Sequence, residues 1–144
     1  MSSDLPYTLA IEDAPRAEDV SALAKGLDEH ALPHTGAQGF RPLGVFLRDE
    51  GGALVGGAWG YVNWNWLFVN LVWLAEPLRG EGHGARLMAA MEDAGRSRGC
   101  RHVHLDTFSW QARPFYERLG YEVFATLDDY PPGHQRFFMR KRLV

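Results

Sequence analysis

The stretch Leu71–Glu92, LVWLAEPLRGEGHGARLMAAME, decides the fold, because an apolar run turns abruptly into a glycine-rich segment and then into a helical pattern. Gly80, Gly82 and Gly84 stand at alternate positions. Glycine loses more conformational freedom on folding than any other residue, so such a cluster indicates a turn with positive φ or a close approach by another group. The N–H groups at the start of a helix are unpaired and partly positive, which suits phosphate, and Arg79 adds a cation. The stretch therefore predicts a strand, a phosphate-binding turn and a helix in succession.

The segment before residue 43 predicts one strand and one helix. Tyr7–Glu12 has strand character, and Asp13 is expected to be the N-cap of a helix with Pro15 in its first turn. The apolar stripe of this helix has helical spacing and consists of Val20, Leu23, Ala24, Leu27 and Ala31. Residues 32–42 are predicted to form a loop.

The rest of the chain combines strands and helices. The predicted elements, in order, are a hairpin within Leu43–Val62, a strand Leu67–Ala75, a helix ending near Gly99, a strand Arg101–Phe108, a helix Gln111–Gly120 and two strands, Tyr121–Leu127 and Gln135–Leu143. Three consecutive strands joined by short turns should be antiparallel neighbours, whereas a strand, a helix and a further strand should form a right-handed parallel crossover. These connections predict an α/β fold with a mixed, mostly antiparallel central sheet, one parallel strand pair and helices on both faces, in a single domain of residues 1–144.

Composition limits the function classes. The chain has 144 residues, 46% hydrophobic and 23% charged, which is ordinary for a globular domain. Its net charge of −3 argues against nucleic acid as a partner. The longest strongly apolar run is too short to span a bilayer, and the start has no apolar signal-peptide region. Cys100, the only cysteine, excludes an intrachain disulfide and a thiolate metal cluster. We expect a soluble, cytoplasmic protein without a membrane partner.

Two classes of phosphate-binding protein fit the glycines. GEGHGA matches the dinucleotide fingerprint G-x-G-x-x-G/A, and Asp106 ends the next strand where a ribose-binding acid would lie. Four residues separate the strand from the first glycine, however, and three antiparallel-type strands precede the motif. Too little chain follows for a second βαβ half. The dinucleotide fingerprint alone is weak evidence for an oxidoreductase.

The second class rests on a resemblance. Leu67–Tyr121 resembles the GNAT superfamily of acyl-CoA-dependent N-acetyltransferases, whose signature Arg/Gln-x-x-Gly-x-Gly/Ala is satisfied by RGEGHG at residues 79–84. The segment SWQARPFYERLGY matches a second family block, small-x-x-Ala-x-x-aromatic-Tyr-Glu-x-x-Gly-aromatic. Ser109 stands where the family commonly has Asn. Both blocks stand in the family's order, and the predicted elements match the family's core. The resemblance implies that the parallel strand pair is splayed.

The resemblance also implies a substrate and its binding residues. Acetyl-CoA would be the co-substrate, with its pyrophosphate on the backbone of Arg79, Gly80, Glu81, Gly82, His83, Gly84 and Ala85. Its pantetheine arm would pair with Val72, Trp73 and Leu74, and Ser109 would contribute from the second block. The backbone N–H of Leu74 would polarise the thioester carbonyl. A primary amine would attack directly in a ternary complex, and Tyr116 would act as the general acid toward the departing thiolate.

The sequence leaves the general base open. The central strand carries Asn70, which cannot act as a base, and no carboxylate. Glu76, Asp106 and His134 are possible substitutes, and water-relayed deprotonation is the default. A non-catalytic acyl-CoA sensor is therefore the main alternative, with the oxidoreductase more remote.

Other clusters suggest further sites. His102, His104 and Asp106 alternate along one strand as metal ligands can, but such alternation arises easily in strands, and no metal is expected. An aromatic cluster of Trp59, Tyr61, Trp64 and Trp66 is expected to help form the acceptor pocket, with Trp64 exposed. The acceptor would be a small-molecule or peptide amine, such as a polyamine, an aminoglycoside or a lysine side chain. A homodimer is possible because dimers are common among members of this superfamily.

Overall fold

The structure is a computed structural model that describes residues 6–37 and 39–144. It divides into two compact units, of which the second comprises Gly39–Val144. The two units are described separately, and the single-domain assignment stays a prediction.

The first unit contains helix α1, Ala17–Thr35. Its N-cap is Arg16 in an extended conformation, not Asp13, because a residue that precedes a proline disfavours the helical region and delays the helix until after Pro15. The helix also continues through the predicted loop as far as Thr35, and the N–H of Gly36 closes it on the Leu32 carbonyl at 2.9 Å.

The strand predicted at Tyr7–Glu12 is wrong. The segment has no strand assignment, and Tyr7, Leu9 and Ile11 are almost fully exposed. Alternating apolar residues form a strand only where the backbone pairs with another strand, and this segment has no such pairing among the described residues.

The second unit contains one sheet. Its elements are β1 Arg41–Arg48, β2 Leu54–Asn63, β3 Trp66–Leu74, a 3-10 turn Glu76–Leu78, α2 His83–Ser97, β4 His102–Phe108, α3 Arg113–Arg118, β5 Glu122–Asp128 and β6 Gln135–Arg142. The six strands of residues 39–144 have the order β1-β2-β3-β4-β6-β5. Within these residues only β3 and β4 pair in parallel; the other pairs are antiparallel. The predicted α/β class with a mixed, mostly antiparallel sheet and one parallel pair is confirmed, and this order excludes the parallel two-half sheet of a dinucleotide fold.

The parallel pair separates along its length. Register pairing runs from Trp66 opposite His102 to Val69 opposite Leu105 and ends there. β3 continues to Leu74 and β4 to Phe108, so the two strands splay apart at their C-terminal ends. A gap therefore opens in the middle of the sheet.

Helices α2 and α3 pack on one face of this sheet. Met88 and Met91 of α2 and Tyr116 of α3 belong to the same buried cluster as Val103 and Leu105 of β4. The helix predicted on the opposite face depends on α1, which lies in the other unit, and stays a prediction.

The network under α2 joins this helix to the last strand. Glu92 is buried, and its carboxylate accepts hydrogen bonds of 2.8 Å from the Tyr121 hydroxyl and from Nζ of Lys141. Partners from two different parts of the chain thus satisfy a carboxylate that would otherwise be costly to bury.

None of the helices in the described residues is long and apolar enough to cross a membrane.

Candidate active site

The gap between β3 and β4 forms a cavity of about 180 Å³. Its lining comes from the diverging ends of the two strands and from the start of α3. The lining residues are Val69, Asn70, Leu71, Val72, Leu105, Asp106, Thr107, Gln111, Ala112 and Tyr116.

A β-bulge shapes one wall of the cavity. Trp59 pairs with Leu71 and Gly60 with Val69, so Asn70 is the extra residue on β3. The bulge shifts the alternation of β3, so that Val72 packs against the core and Leu74 lies beside Gly84 of α2. Asn70 itself is exposed and lines the cavity, as expected of a residue facing the candidate site.

The main chain of β3 presents donors to the gap. Ala75 donates its N–H to the carbonyl of Val55 on β2 at 2.8 Å. Because hydrogen-bonding directions alternate along an antiparallel ladder, the N–H groups of Val72 and Leu74 point away from β2. β4 has already diverged at this level, so these amides face the gap instead of a paired strand.

The glycine turn lies at the C-terminal end of β3. Gly80 and Gly82 have φ of 81° and 84°, and a Cβ added to either would meet nothing within 4 Å among the described residues. The turn is therefore left-handed and open, as only glycine readily allows. Gly82 is the N-cap of α2, and its carbonyl accepts the first helical bond from Arg86 at 3.2 Å. The amides of the first turn of α2 thus point toward this opening.

Side chains tie the glycine turn to its surroundings. Nε of Arg79 donates to the carbonyl of Leu74 at 3.1 Å, which holds the turn against the end of β3. His83 lies 3.6 Å from Glu81 and 3.2 Å from Arg86, measured between its ring nitrogens and their charged groups. A Cβ on Gly84 would lie 3.1 Å from the ring of Phe115, so this third glycine permits close packing of α2 on α3.

Tyr116 reaches the cavity from α3. Helix α3 begins at Arg113, so Pro114 stands in the first turn and displaces no helical bond. The Tyr116 ring is buried, and burial together with the charge of Asp106 raises the pKa of its hydroxyl to about 12. The phenol is consequently protonated throughout the neutral range.

Asp106 lies across the cavity on β4. Its Oδ1 accepts a hydrogen bond from Nε of Arg136 at 3.0 Å, and Nη2 of the same residue lies 2.9 Å from Oδ1 as an ion pair. Sequence reasoning considered Asp106 but missed Arg136, because the two are thirty residues apart and meet only through the pairing of β4 with β6.

The other candidate bases lie outside the cavity lining. Nδ1 of His134 pairs with the hydroxyl of Ser109 at 2.9 Å, and Ser109 also accepts the N–H of Gln135 at 3.2 Å. These bonds connect Ser109 to the hairpin between β5 and β6. Glu76 begins the 3-10 turn beyond β3. Of the three candidates, the structure brings only Asp106 into the lining described above.

The two histidines of β4 stack on aromatic rings of β3. His102 stacks on Trp66 with ring centroids 4.6 Å apart, and His104 stacks on Phe68 at 4.7 Å. Burial lowers the pKa of His104, although the nearby Asp106 opposes the shift. Across residues 6–37 and 39–144, no group of three or more His, Cys, Asp or Glu is arranged to hold a metal ion.

The members of the predicted aromatic cluster are absent from the lining of this cavity. Trp64 is exposed, as predicted, but it lies in the turn that precedes β3, about six residues or ~20 Å of strand from Asn70. Trp66 belongs to the paired end of β3. Neither tryptophan reaches the cavity, whereas Trp59 pairs with Leu71 beside it.

Comparison with known proteins places this site in a family context. Residues 9–121 match the Acetyltransferase (GNAT) family. The chain is 40% identical over 117 residues to the blasticidin-S acetyltransferase of Streptomyces morookaense, covering 78% of this chain and 86% of that protein. It is 30% identical over 132 residues to an acetyltransferase of Agrobacterium fabrum, covering 92% and 96%. The crystal structure of an acetyltransferase from Bacillus cereus superposes with a TM-score of 0.82 at 29% identity, covering 93% of this chain and 97% of that one.

Proposed function

The chain belongs to the GNAT acetyltransferase family, and we propose from this premise that it moves an acetyl group from acetyl-CoA to a primary amine. The observation that carries the proposal is the splayed strand pair. The cavity that Tyr116 lines, the uncovered amides of β3 and the open glycine turn follow one another along β3 and beyond its C-terminal end.

The chain's own groups fit a diphosphate and an extended arm. The amides from Gly80 to Ala85 would hold the pyrophosphate of CoA. Both positive-φ positions of the turn are glycines, which have no side chain to block these amides. The N–H groups of Val72 and Leu74 would donate hydrogen bonds to the pantetheine arm, which would take the place of a neighbouring strand. The amide of Leu74 would then donate to the thioester oxygen as that oxygen gains charge.

Most of the rate would come from holding two substrates in one geometry. The ammonium would first lose a proton to water, and the neutral amine would attack the thioester carbonyl directly, forming the C–N bond as the C–S bond breaks and the CoA thiolate leaves. No covalent enzyme intermediate is needed, so orientation replaces a bimolecular encounter. A neutral phenol in the lining can donate a hydrogen bond to the departing sulfur. Since the pKa of Tyr116 is about 12 and that of an ordinary thiol is ~8.5, stabilisation of the sulfur by this bond is favoured over complete proton transfer.

The acceptor we propose is a small-molecule primary amine. A relative 40% identical to this chain takes blasticidin S, as its name states, and a net charge of −3 suits a cationic acceptor. Titration of the protein with acetyl-CoA, followed by assays of CoA release with blasticidin S, putrescine and hexylamine, tests the proposal. We expect binding and turnover. Binding without turnover would identify a sensor, and no binding would contradict the proposed function altogether.

A further inference from the structure

The face of the cavity opposite α3 carries a carboxylate that the proposed function does not use. We infer that Asp106 binds the ammonium group of the acceptor and that Arg136 is a positioning residue that holds Asp106 in place. This inference rests on the proposed function and deepens it, because it identifies the acceptor as a cationic amine and names the group that recognises it.

Strand alternation places Asp106 on the acceptor side. Leu105 and Thr107 are buried on the face that α2 and α3 cover, and side chains alternate along a strand, so Asp106 points to the other face. The glycine turn and Tyr116 lie with the helices, which assigns the thioester to that side. An amine that attacks through the gap must therefore approach from the face of Asp106.

The chemistry of the lining also selects Asp106. Among the described residues that line the cavity, Asp106 is the only carboxylate and thus the only anionic partner for an ammonium. The hydrogen bond from Nε of Arg136 goes to Oδ1, and the ion-pair contact of Nη2 is also with Oδ1. An ionised carboxylate has about four acceptor sites, so Asp106 can also receive an ammonium without loss of the Arg136 pair.

Arg136 is fixed by aromatic rings. Its guanidinium carbon lies 5.5 Å from the ring centroid of Phe108, 5.1 Å from that of Tyr130 and 5.0 Å from that of Phe138. Its Nη1 also donates to the Tyr130 hydroxyl at 2.9 Å.

The negative ring faces attract the guanidinium and help to hold it beside Asp106. The carboxylate of Asp106 is thereby held in one orientation where it lines the cavity.

The test compares charged and uncharged nucleophiles. The charged probes are hexylamine, putrescine and blasticidin S, and the uncharged probe is hexanohydrazide, whose terminal nitrogen is neutral at pH 7.5. For Asp106→Asn we expect KM for each amine that the wild type acetylates to rise by about 10-fold or more, since bonds to charged groups are the stronger ones. KM for hexanohydrazide and the Kd for acetyl-CoA should change less than ~2-fold.

The matched control removes a similar ion pair elsewhere. Glu122 pairs with Nε of Arg140 at 3.0 Å, and Arg140 lies 5.1 Å from the Phe124 ring, but this pair is outside the cavity lining. Glu122→Gln should leave all kinetic constants unchanged. If Asp106→Asn fails to fold, Arg136→Lys takes its place in the test. Lysine keeps the positive charge but cannot make the two guanidinium contacts that hold Asp106. KM should therefore rise for the amines and not for hexanohydrazide.

The outcomes separate the inference from the proposed function. The inference would be overturned if Asp106→Asn changed KM equally for the amines and hexanohydrazide, or left KM for the amines unchanged. In either case, turnover by the wild type would still support the proposed function. A wild type that binds no acetyl-CoA, or acetylates none of the probes, would overturn both.

Discussion

Gly82 combines a backbone role with a proposed role in ligand binding. Its φ of 84° starts α2 with a left-handed residue, and the space where a side chain would stand is open. A valine there would be strained and would also fill the volume that a diphosphate needs. The two effects can be separated because Gly99 has a φ of 86° and an equally open Cβ position, at the end of α2 remote from the turn.

We predict that Gly82→Val and Gly99→Val each lower the free energy of unfolding by about 1–2 kcal/mol, the usual cost of a left-handed residue with a side chain. Only Gly82→Val should weaken acetyl-CoA binding, by about 10-fold or more, because only it blocks the phosphate amides. Thermal unfolding and calorimetric titration measure the two effects. Equal affinities in both variants would contradict the assignment of the turn.

Tyr116 and Tyr121 allow a second matched comparison. Their ring centroids are 5.8 Å apart, but Tyr116 lines the cavity while Tyr121 donates to buried Glu92. Tyr116→Phe should lower kcat by about 10–100-fold with little change in the Kd for acetyl-CoA.

Tyr121→Phe should instead lower the free energy of unfolding by about 1–3 kcal/mol, because Glu92 loses a hydrogen bond in a buried site. Steady-state kinetics and urea unfolding of both variants provide the measurements. A larger loss of kcat in Tyr121→Phe than in Tyr116→Phe would refute the proposed role of Tyr116 as hydrogen-bond donor to the departing sulfur.

At the scale of elements, the bulge in β3 depends on Gly60. A Cβ on this residue would fall on the carbonyl oxygen of Phe68 in the neighbouring strand, so no other residue fits without a backbone shift. We predict that Gly60→Ala lowers the free energy of unfolding by at least ~2 kcal/mol.

Gly60→Ala should also impair acetyl-CoA binding, since the bulge sets the direction of the Val72 and Leu74 amides. Gly26→Ala is the control, because it lies within helix α1 with nothing within 4 Å of the added Cβ among the described residues. It should stabilise the protein by up to ~1 kcal/mol. Chemical unfolding measures the free energy of unfolding of both variants. A loss of stability in Gly26→Ala alone would contradict the proposed role of Gly60.

Elements near the glycine stretch could be predicted from the sequence, whereas the amino-terminal ones could not. The turn, α2 and α3 follow from local signals: positive-φ glycines, apolar spacing and a proline in a first turn. Tyr7–Glu12 has equally good local alternation, but a strand also requires a partner that sequence spacing does not supply. The Asp106–Arg136 pair was missed for the same reason, because register brings its members together.

At the scale of the whole molecule, two buried tyrosines make stability sensitive to alkali. Burial raises the pKa of Tyr116 to about 12, and burial with the Glu92 charge raises that of Tyr121 further. An unfolded tyrosine ionises near pH ~10, so the stabilisation is complete below that pH and is lost as pH rises toward the folded pKa values.

Between pH ~10 and ~12 each tyrosine should reduce the free energy of unfolding by up to about 1.4 kcal/mol per pH unit. Urea unfolding of wild type and Tyr116→Phe from pH 8 to 12 isolates one contribution. The variant should lose stability less steeply, and parallel curves would contradict the buried state of this phenol.

In the proposed complex, the thioester would lie on one side of the split sheet and the amine on the other. The measurement that tests it most directly is a crystal structure of the complex with acetyl-CoA. We predict the diphosphate on the amides of residues 80–85 and the acetyl group in the gap between β3 and β4, near Tyr116. A diphosphate bound elsewhere, or a gap that stays closed to the pantetheine arm, would contradict it.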